Sequence, residues 1–464
     1  MERKNAWKSY TPTNVKKLEA LCEGYKDYLF KGKTEREGTK YMIEKAEAAG
    51  YKNLDEYIKA KKKLKAGDKI YAVNMGKTVA LFNIGKKSLE EGMNILGAHL
   101  DSPRLDVKQN PLYESKELAY LDTHYYGGIK KYQWVTLPLA IHGVVAKTDG
   151  TVVDITIGED DNDPVFCVTD ILIHLAQEQM DKKARLAVEG EKLDLLIASR
   201  PIRVKASDKD KKDLVKKNVL EILKTKYDIK EEDFISAELE IVPAGKPRDM
   251  GIDSSMIIAY GQDDKVCAYT SLIAQLNVTD PEKTSCTLLV DKEEIGSVGA
   301  TGMQSKFFEN CVAEILSLAG YDSNLSLRRC LASSCMLSSD VSAGYDPLYS
   351  GCFEAKNAAY LGRGMVFNKF TGSRGKSGSN DANAEYIGKI RGILEKSKVH
   401  YQTAELGKVD VGGGGTIAYI LSLYGMEVID CGVAVLNMHA PWEVTSKADI
   451  FETEKGYEAF LKEA

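Results

Sequence analysis

Four apolar, strand-like runs in this chain each end on a histidine or a carboxylate. The runs span residues 94–101, 288–294, 335–340 and 434–439, and they end on His99 with Asp101, on Glu293 with Glu294, on Asp340 and on His439. In an open α/β sheet, ligands bind beyond the carboxyl ends of the strands. We therefore expect an α/β fold in which these side chains converge on one crevice.

The residue types at these ends suit a divalent metal. Imidazole and carboxylate together are typical ligands of Zn²⁺ and related ions. His99 and Asp101 share one strand face, so His99 could bind metal while Asp101 orients its ring. Of the neighbouring pair Glu293 and Glu294, one could hold metal while the other moves a proton. Taken alone, a histidine of this kind is as often a core residue, but the set predicts a metal-dependent hydrolase.

A further acidic pair, Asp263 and Asp264, precedes an apolar helix. Helix capping is the simplest interpretation, because aspartate favours that position and the helix dipole. A carboxylate there could also bridge two metal ions about 3.5–4 Å apart. Asp340 alone could equally make a turn of its own loop.

Residues 412–415 are four consecutive glycines followed by Thr416. They could cradle a phosphate at a helix N-terminus, but the spacing of a Walker A motif is absent. We favour a backbone-lined wall for a peptide substrate, with Gly414 and Thr416 as its members. A structural tight turn is the alternative.

Composition excludes several classes of partner. A net charge of −5 gives no basic field for nucleic acid or anionic lipid. No apolar stretch reaches the roughly 20 residues that span a bilayer, and charged residues 1–8 do not resemble a signal peptide. The nine cysteines are scattered, several within apolar runs, and form no CxxC motif. A cytoplasmic protein without a nucleic-acid or membrane partner is expected.

The chain of 464 residues is long enough for two or three domains. Apolar spacing predicts helices within residues 11–65, with Thr13 and Asn14 as a cap, and over residues 265–276, 299–308 and 412–424. Residues 107–242 contain hairpin-like strands and none of the motif residues. We predict a catalytic domain formed by residues 1–106 and 243–464, interrupted by an inserted β-rich domain over residues 107–242.

The inserted segment carries several aromatic residues that we expect to be exposed. They are Tyr125, Tyr126, Tyr132 and Trp134. Aromatic side chains are enriched at protein interfaces. The inserted domain is therefore predicted to mediate subunit assembly.

Several strings resemble one known family, the aspartyl aminopeptidase and vacuolar aminopeptidase I branch of the dinuclear zinc aminopeptidases. The strings begin at Gly97 (GAHLDSPR), Glu293 (EEIGS), Ser339 (SDVS), Gly415 (GTI) and Asn437 (NMHA). They follow the order in which that family carries them.

The resemblance implies a role for each motif residue. One metal would be held by His99 and Asp340, and the other by Glu294 and His439. Asp263 would bridge the two ions. Glu293 would be the general base, and Asp101 would stand behind His99.

The same resemblance implies the fold, the activity and the assembly. The fold would be a mixed-sheet, three-layer catalytic domain of the zinc exopeptidase type. The enzyme would remove N-terminal amino acids from peptides through a metal-activated water, using two divalent ions, with zinc expected and cobalt or manganese as alternatives. Assembly into a homo-oligomer, often a dodecamer, is implied.

Two substrate-binding residues are also suggested by the resemblance. Lys369 matches a lysine that lines the substrate pocket, and His174 could reach the active site of a neighbouring subunit. Two other functions stay open from sequence. One is a metal-dependent amidohydrolase or deacylase of the same fold, and the other is a scaffold that has lost its chemistry.

Overall fold

A computed structural model describes residues 3–203 and 212–464 of the chain. Met1 and Glu2, at the start of the charged N-terminal segment, lie outside the described residues. The chain divides into two compact units. The first comprises Met1–Ser102, Pro247–Met438 and Glu443–Ala464, and the second comprises Pro103–Lys246 and His439–Trp442.

The strands of the described residues are as follows in chain order. They are β1 (Lys52–Asn53), β2 (Lys69–Asn74), β3 (Thr78–Asn83), β4 (Met93–His99), β5 (Arg104–Ser115), β6 (Leu118–Tyr126), β7 (Leu139–Ala146), β8 (Val152–Ile157), β9 (Cys167–Val168), β10 (Leu195–Ala198), β11 (Ala237–Pro243), β12 (Arg248–Met250), β13 (Met256–Ala259), β14 (Thr284–Val290), β15 (Cys335–Ser339), β16 (Ser342–Ala343), β17 (Met365–Asn368), β18 (Tyr401–Thr403), β19 (Glu427–Gly432), β20 (Ala434–Leu436) and β21 (Glu443–Ser446).

The α-helices of the same residues range from one turn to five. They are α1 (Pro12–Lys31), α2 (Glu35–Ala48), α3 (Leu54–Ala60), α4 (Gln177–Met180), α5 (Ala184–Ala187), α6 (Leu214–Tyr227), α7 (Gln262–Asn277), α8 (Phe307–Leu318), α9 (Asn324–Ala332), α10 (Ala384–Lys396), α11 (Ala418–Ser422) and α12 (Lys447–Glu463). None of these helices combines the length and the apolar character needed to cross a membrane.

The first unit is built on a nine-stranded mixed sheet. Its strand order is β1-β2-β3-β14-β4-β15-β19-β17-β18. The neighbours β14, β4, β15 and β19 run parallel, whereas β3 pairs antiparallel with β14 and β17 pairs antiparallel with β19. All seven residues of β4 are buried, which explains why its sequence is a continuous apolar run.

Helices cover both faces of this sheet. Ile95 of β4 packs in one cluster with Phe308 and Ile315 of α8. The next residue, Leu96, points to the opposite face and packs with Ile390 of α10 and Phe460 of α12. The predicted mixed α/β fold with three layers is thus confirmed. A separate five-stranded sheet, β12-β13-β21-β20-β16, completes the first unit.

The second unit is dominated by a seven-stranded sheet in the order β8-β7-β11-β5-β6-β10-β9, whose strand pairs are antiparallel. The expectation of exposed aromatic residues is only partly correct. Tyr125 and Tyr132 are more than 40% exposed, but Trp134 and Tyr126 are buried. Tyr126 lies beneath the guanidinium of Arg104, whose carbon is 3.9 Å from the ring centre.

Three helix predictions need correction. The first long helix begins one residue after Thr11, whose side chain accepts from the amide of Asn14 in a capping box, so Thr13 and Asn14 lie inside the helix. Residues 299–306 form turns, and α8 begins only at Phe307. The predicted helix over residues 412–424 is reduced to the five residues of α11, because successive glycines are poor helix formers.

Candidate active site

The ends of three adjacent parallel strands bring the motif residues of the first unit together. His99 is the last residue of β4, and Asp340 directly follows β15. Glu293 and Glu294 lie in a single 3₁₀ turn just after β14. Since β14, β4 and β15 are parallel neighbours, their carboxyl ends meet at one edge of the sheet, where such folds bind ligands.

His99 is surrounded by carboxylates. Its Nε2 atom lies 3.3 Å from Asp263 Oδ1, and 4.0 Å from both Glu293 Oε2 and Asp340 Oδ1. The side chain of His99 is 1% exposed, so water does little to screen these charges. The arrangement creates a pocket of strongly negative potential around one imidazole.

The other ring nitrogen fixes the orientation of His99. Nδ1 lies 3.0 Å from the backbone carbonyl oxygen of Asp101 and 3.3 Å from its carboxylate. A proton on Nδ1 satisfies both acceptors and leaves the lone pair on Nε2, which faces Asp263. The Asp101 carboxylate also accepts the backbone amides of Glu293 and Glu294, each at 3.1 Å.

The two acidic residues at the start of α7 contact different parts of His99. Asp263 directs its carboxylate to Nε2 of His99, while Asp264 Oδ2 accepts the backbone amide of His99 at 3.3 Å. Both residues have non-helical backbone angles, and a cis peptide bond joins them. Asp263 therefore faces the histidine ring, and Asp264 ties α7 to β4.

Three polar residues hold the backbone of Asp263 in place. The carboxylate of Glu443 accepts its amide at 2.9 Å. Ser102 Oγ donates to its carbonyl oxygen at 2.8 Å, and the buried Lys265 Nζ donates to that hydroxyl at 2.6 Å. Sequence reasoning missed Glu443, although it stands four residues after His439.

Burial and neighbouring charges shift the pKa values of several residues of the site. Burial alone would lower the pKa of His99, but hydrogen bonds to Asp101 and Asp263 and the nearby carboxylates hold it well above its usual value. Burial, and then the charges of Glu293 and Asp264, raise the pKa of Asp340. Burial likewise raises the pKa of Asp264. The shift of His99 shows that a positive charge is favourable at its ring, whereas the shifts of Asp340 and Asp264 come first from burial, which disfavours an ionised carboxylate.

The donor set fits a divalent metal ion. His99, Asp263 and Asp340 each offer one ligand atom, and the three atoms lie within 4.8 Å of one another. One imidazole and two carboxylates match the ligand preference of zinc. A cation held by these three groups would also neutralise part of the negative charge of the carboxylates around His99.

Two predicted site residues belong to the second unit. His439 lies in the segment His439–Trp442 with a left-handed backbone, and its Nδ1 is 2.8 Å from the carbonyl oxygen of Gly128. A proton on Nδ1 would leave the lone pair on Nε2, as in many metal-binding histidines. His174 lies in the exposed 3₁₀ turn Ile173–Leu175.

The three other predicted substrate-binding residues lie in the first unit. Lys369 follows β17, is half exposed, and pairs with Asp381 at 2.9 Å. Gly414 is exposed in the glycine segment. Thr416 donates its hydroxyl to Asp430 Oδ1 at 2.5 Å. Asp430, a buried residue of β19 that sequence reasoning missed, anchors the end of this segment.

Comparison with known proteins gives a consistent result. Residues 28–461 match the family described as aminopeptidase I zinc metalloprotease (M18). A protein named probable M18 family aminopeptidase 1 from Clostridium acetobutylicum is 62% identical over 99% of this chain and 98% of its own. The crystal structure of an M18 aminopeptidase from Thermotoga maritima superimposes with a TM-score of 0.95, at 43% identity and full coverage of both chains. Aminopeptidase I of Clostridium acetobutylicum gives a TM-score of 0.91 at 58% identity, over 99% of each chain. This chain belongs to the M18 family of zinc aminopeptidases.

Proposed function

We propose that this aminopeptidase uses two divalent metal ions that share the Asp263 carboxylate. Together with Asp263, His99 and Asp340 would bind one ion. Glu294 and His439 would hold the second ion. The support is chemical, because two histidines and three carboxylates exceed the needs of one tetrahedral site, and within the first unit His99, Asp263 and Asp340 lie close enough together to hold an ion. Zinc is the expected metal, with cobalt and manganese as alternatives.

The observation that carries this proposal is the position of Asp263 against His99. Its Oδ1 atom lies 3.3 Å from Nε2, while its backbone is held on both sides by Glu443 and Ser102. A carboxylate fixed so firmly can serve as a common ligand without changing its conformation. Asp264, which accepts the backbone amide of His99, is the poorer candidate for the bridge.

Glu293 is the proposed general base. A metal pair supplies Lewis acidity and lowers the pKa of water near to neutral. The Glu293 carboxylate is partly exposed and lies 4.0 Å from Nε2 of His99, so it borders the site and is accessible from solvent. It would accept a proton from water and pass it to the departing amine. Asp101 would keep Glu293 in position through its backbone amide.

The substrates are proposed to be peptides with an unblocked N-terminus. Lys369 would favour acidic N-terminal residues, since a substrate carboxylate could replace Asp381 as its partner. The experiment that tests the activity compares aminoacyl amides with N-acylated amino acids. Hydrolysis confined to the aminoacyl amides is expected, and preferential cleavage of the N-acylated compounds would instead indicate a deacylase.

Assembly into a homo-oligomer is proposed to involve the second unit. The yeast mApe1 dodecamer, whose chain is 19% identical to this one, has a TM-score of 0.76 and covers 96% of this chain and 97% of its own. In the second unit, Ile173 and Leu175 are 67% and 69% exposed, beside the exposed Ile171 and Leu172, and a contiguous apolar patch on a surface often marks a contact with another protein. His174, between them, would then approach a neighbouring subunit.

We propose a cytoplasmic location because the cysteines are free thiols. The nine cysteines all lie in the described part of the chain, and none is joined in a disulfide. Seven of them are buried, as reduced structural thiols usually are. Fractionation of the source cells with an activity assay would test the location.

A further inference from the structure

Lys265, near the start of α7, is a lysine with no exposed surface. Burial of an ammonium group costs free energy unless polar or aromatic neighbours compensate for it. The ring of Tyr260 gives part of this compensation, since Nζ lies 5.6 Å from its centre. Nζ also donates to the hydroxyl of Ser102 at 2.6 Å. An apolar side chain would fill the same space, so the charge at this position needs an explanation of its own.

The contact with Lys265 fixes the direction of the Ser102 hydroxyl. An ammonium group has three donors and no acceptor, so Ser102 Oγ must accept from Nζ and direct its own proton elsewhere. That proton goes to the carbonyl oxygen of Asp263, at 2.8 Å. Ser102 is only 2% exposed, so little water can compete for its hydroxyl. Lys265 therefore determines that Ser102 donates to Asp263.

The two side chains have little freedom to move apart. A Cβ atom at Gly261 would lie 2.9 Å from both Lys265 Nζ and Ser102 Oγ. Both polar atoms thus lie close against the backbone of Gly261, which has a left-handed φ of 71°. Since Lys265 and Ser102 are also buried, their hydrogen bond is held in place by its surroundings.

The carbonyl group that accepts from Ser102 belongs to the peptide unit between Asp263 and Asp264. Oδ1 of Asp263 lies 3.3 Å from Nε2 of His99, and Oδ2 of Asp264 accepts the backbone amide of His99 at 3.3 Å. Both contacts to His99 therefore extend from the peptide unit that Ser102 holds. The carboxylate of Glu443 accepts the amide of Asp263 at 2.9 Å, so the backbone of Asp263 is held at both ends.

We propose that Lys265 is a positioning residue of the metal site. Through Ser102, its ammonium group holds the Asp263 carboxylate in the ligand position before a metal ion binds. This inference rests on the proposed function, because it takes Asp263 as a ligand. A group that is already in place loses less conformational freedom on binding. The Lys265–Ser102 pair should therefore raise the affinity of the site for metal.

The sign of the effect separates positioning from simple electrostatics. A positive charge repels a metal ion. If Lys265 acted on the site only through its charge, the Lys265→Met variant would bind zinc more tightly than the unmodified protein. Positioning through Ser102 predicts the opposite, because the freed hydroxyl no longer fixes the carbonyl group of Asp263.

The first test measures zinc affinity of the chelated protein by competition with a chromophoric chelator. The variants are Lys265→Met, Ser102→Ala and the double variant. The matched control is Lys447→Met, the same substitution at another buried lysine, which pairs with Glu19 and Asp249. We expect each single variant to lose about 10–100-fold in affinity and the control to keep its affinity. The double variant should be no weaker than the weaker single variant, because the two residues act as one unit.

Each other outcome counts against the proposal. Unchanged or tighter zinc binding by Ser102→Ala would overturn it, and this variant alone decides if Lys265→Met does not fold. Losses that multiply in the double variant would show that Lys265 does not act through Ser102. An unmodified protein that binds no zinc would overturn the proposed function as well, whereas the other results leave that function intact.

A second test reports the position of the ligands rather than the stability of the fold. The visible absorption of bound cobalt depends on the geometry of its ligands. At saturating cobalt, the bands of Ser102→Ala and Lys265→Met should differ from those of the unmodified protein, and the bands of Lys447→Met should superimpose on them. Identical spectra for the unmodified protein and Ser102→Ala would show that Asp263 keeps its place without this support, and would overturn the proposal.

Discussion

The carboxylate of Asp101 accepts the backbone amide of Glu293 at 3.1 Å. The second oxygen of this carboxylate accepts the amide of Glu294 at the same distance. The backbone carbonyl oxygen of Asp101 lies against Nδ1 of His99. One residue thus orients both the histidine and the turn that carries the two glutamates. This is a wider role than the support of His99 alone that the sequence predicts.

Replacement of Asp101 by asparagine tests this dual role. The amide side chain keeps one acceptor oxygen, so one of the two glutamate amides loses its partner. Loss of such an orienting group typically costs 10–100-fold in metal affinity or activity, and we expect kcat to fall within that range. Steady-state kinetics together with metal analysis would measure the effect. Unchanged kcat and metal content would show that the turn does not depend on Asp101.

Glu293 and Glu294 are predicted to respond differently to substitution by glutamine. Glu293→Gln keeps the shape of the side chain but cannot accept a proton, so kcat should fall by about 10²–10⁴-fold with nearly normal metal content. Glu294→Gln should weaken binding of one ion. Each variant is the control for the other. The opposite pattern, with metal lost from Glu293→Gln and kept by Glu294→Gln, would reverse the assigned roles.

We predict that the free energy of unfolding falls as pH rises toward neutrality, because Asp430 loses its proton. Burial raises the pKa of Asp430 to about 7, whereas the unfolded chain has an ordinary aspartate. The folded state therefore binds the extra proton between about pH 4 and pH 7, and the stability that this proton provides is lost as pH rises through that interval. A difference of about three pKa units between the folded and unfolded states corresponds to at most about 4 kcal/mol in the free energy of unfolding.

The Asp430→Asn variant should lack this pH-dependent loss. Asparagine keeps an oxygen that can accept from Thr416 and cannot ionise. Urea unfolding at pH 5 and pH 8 should show the variant gaining in stability relative to the unmodified protein at the higher pH. A constant difference between the two proteins at both pH values would exclude ionisation of Asp430 as the cause.

The exposed apolar residues of the second unit are predicted to be buried in an oligomer. Leu175→Asp would place a charge in that interface and should lower the assembled mass, while Lys212→Asp, at a charged surface position of the same unit, should not. Light scattering of the purified proteins measures this difference. A fully active monomer of the unmodified protein would contradict the proposed role in assembly.

The sequence predicts the sheet edge well because buried parallel strands leave a clear apolar signal. The runs ending at His99 and Asp340 coincide with β4 and β15, and their adjacency follows from the parallel order. Predictions failed where glycine and local hydrogen bonds decide the backbone. Residues 412–415 do not start a helix, and Trp134, which was expected to be exposed, is buried.

Some site residues carry no local signal in the sequence. Asp430 lies within an apolar strand, and its contact with Thr416 depends on how β19 packs beneath the glycine segment. Glu443 contacts Asp263 across 180 residues of sequence. Such contacts arise from tertiary packing, so no periodicity in the chain could have identified them.

The central claim is that catalysis depends on two metal ions sharing Asp263. Activity should be measured while the chelated protein is titrated with zinc, with bound metal determined at each step. We predict that hydrolysis of an aminoacyl amide is abolished by chelation and returns fully at about two ions per chain, whereas Asp263→Asn recovers neither full binding nor activity. Full activity in a protein shown to contain no metal would contradict the account.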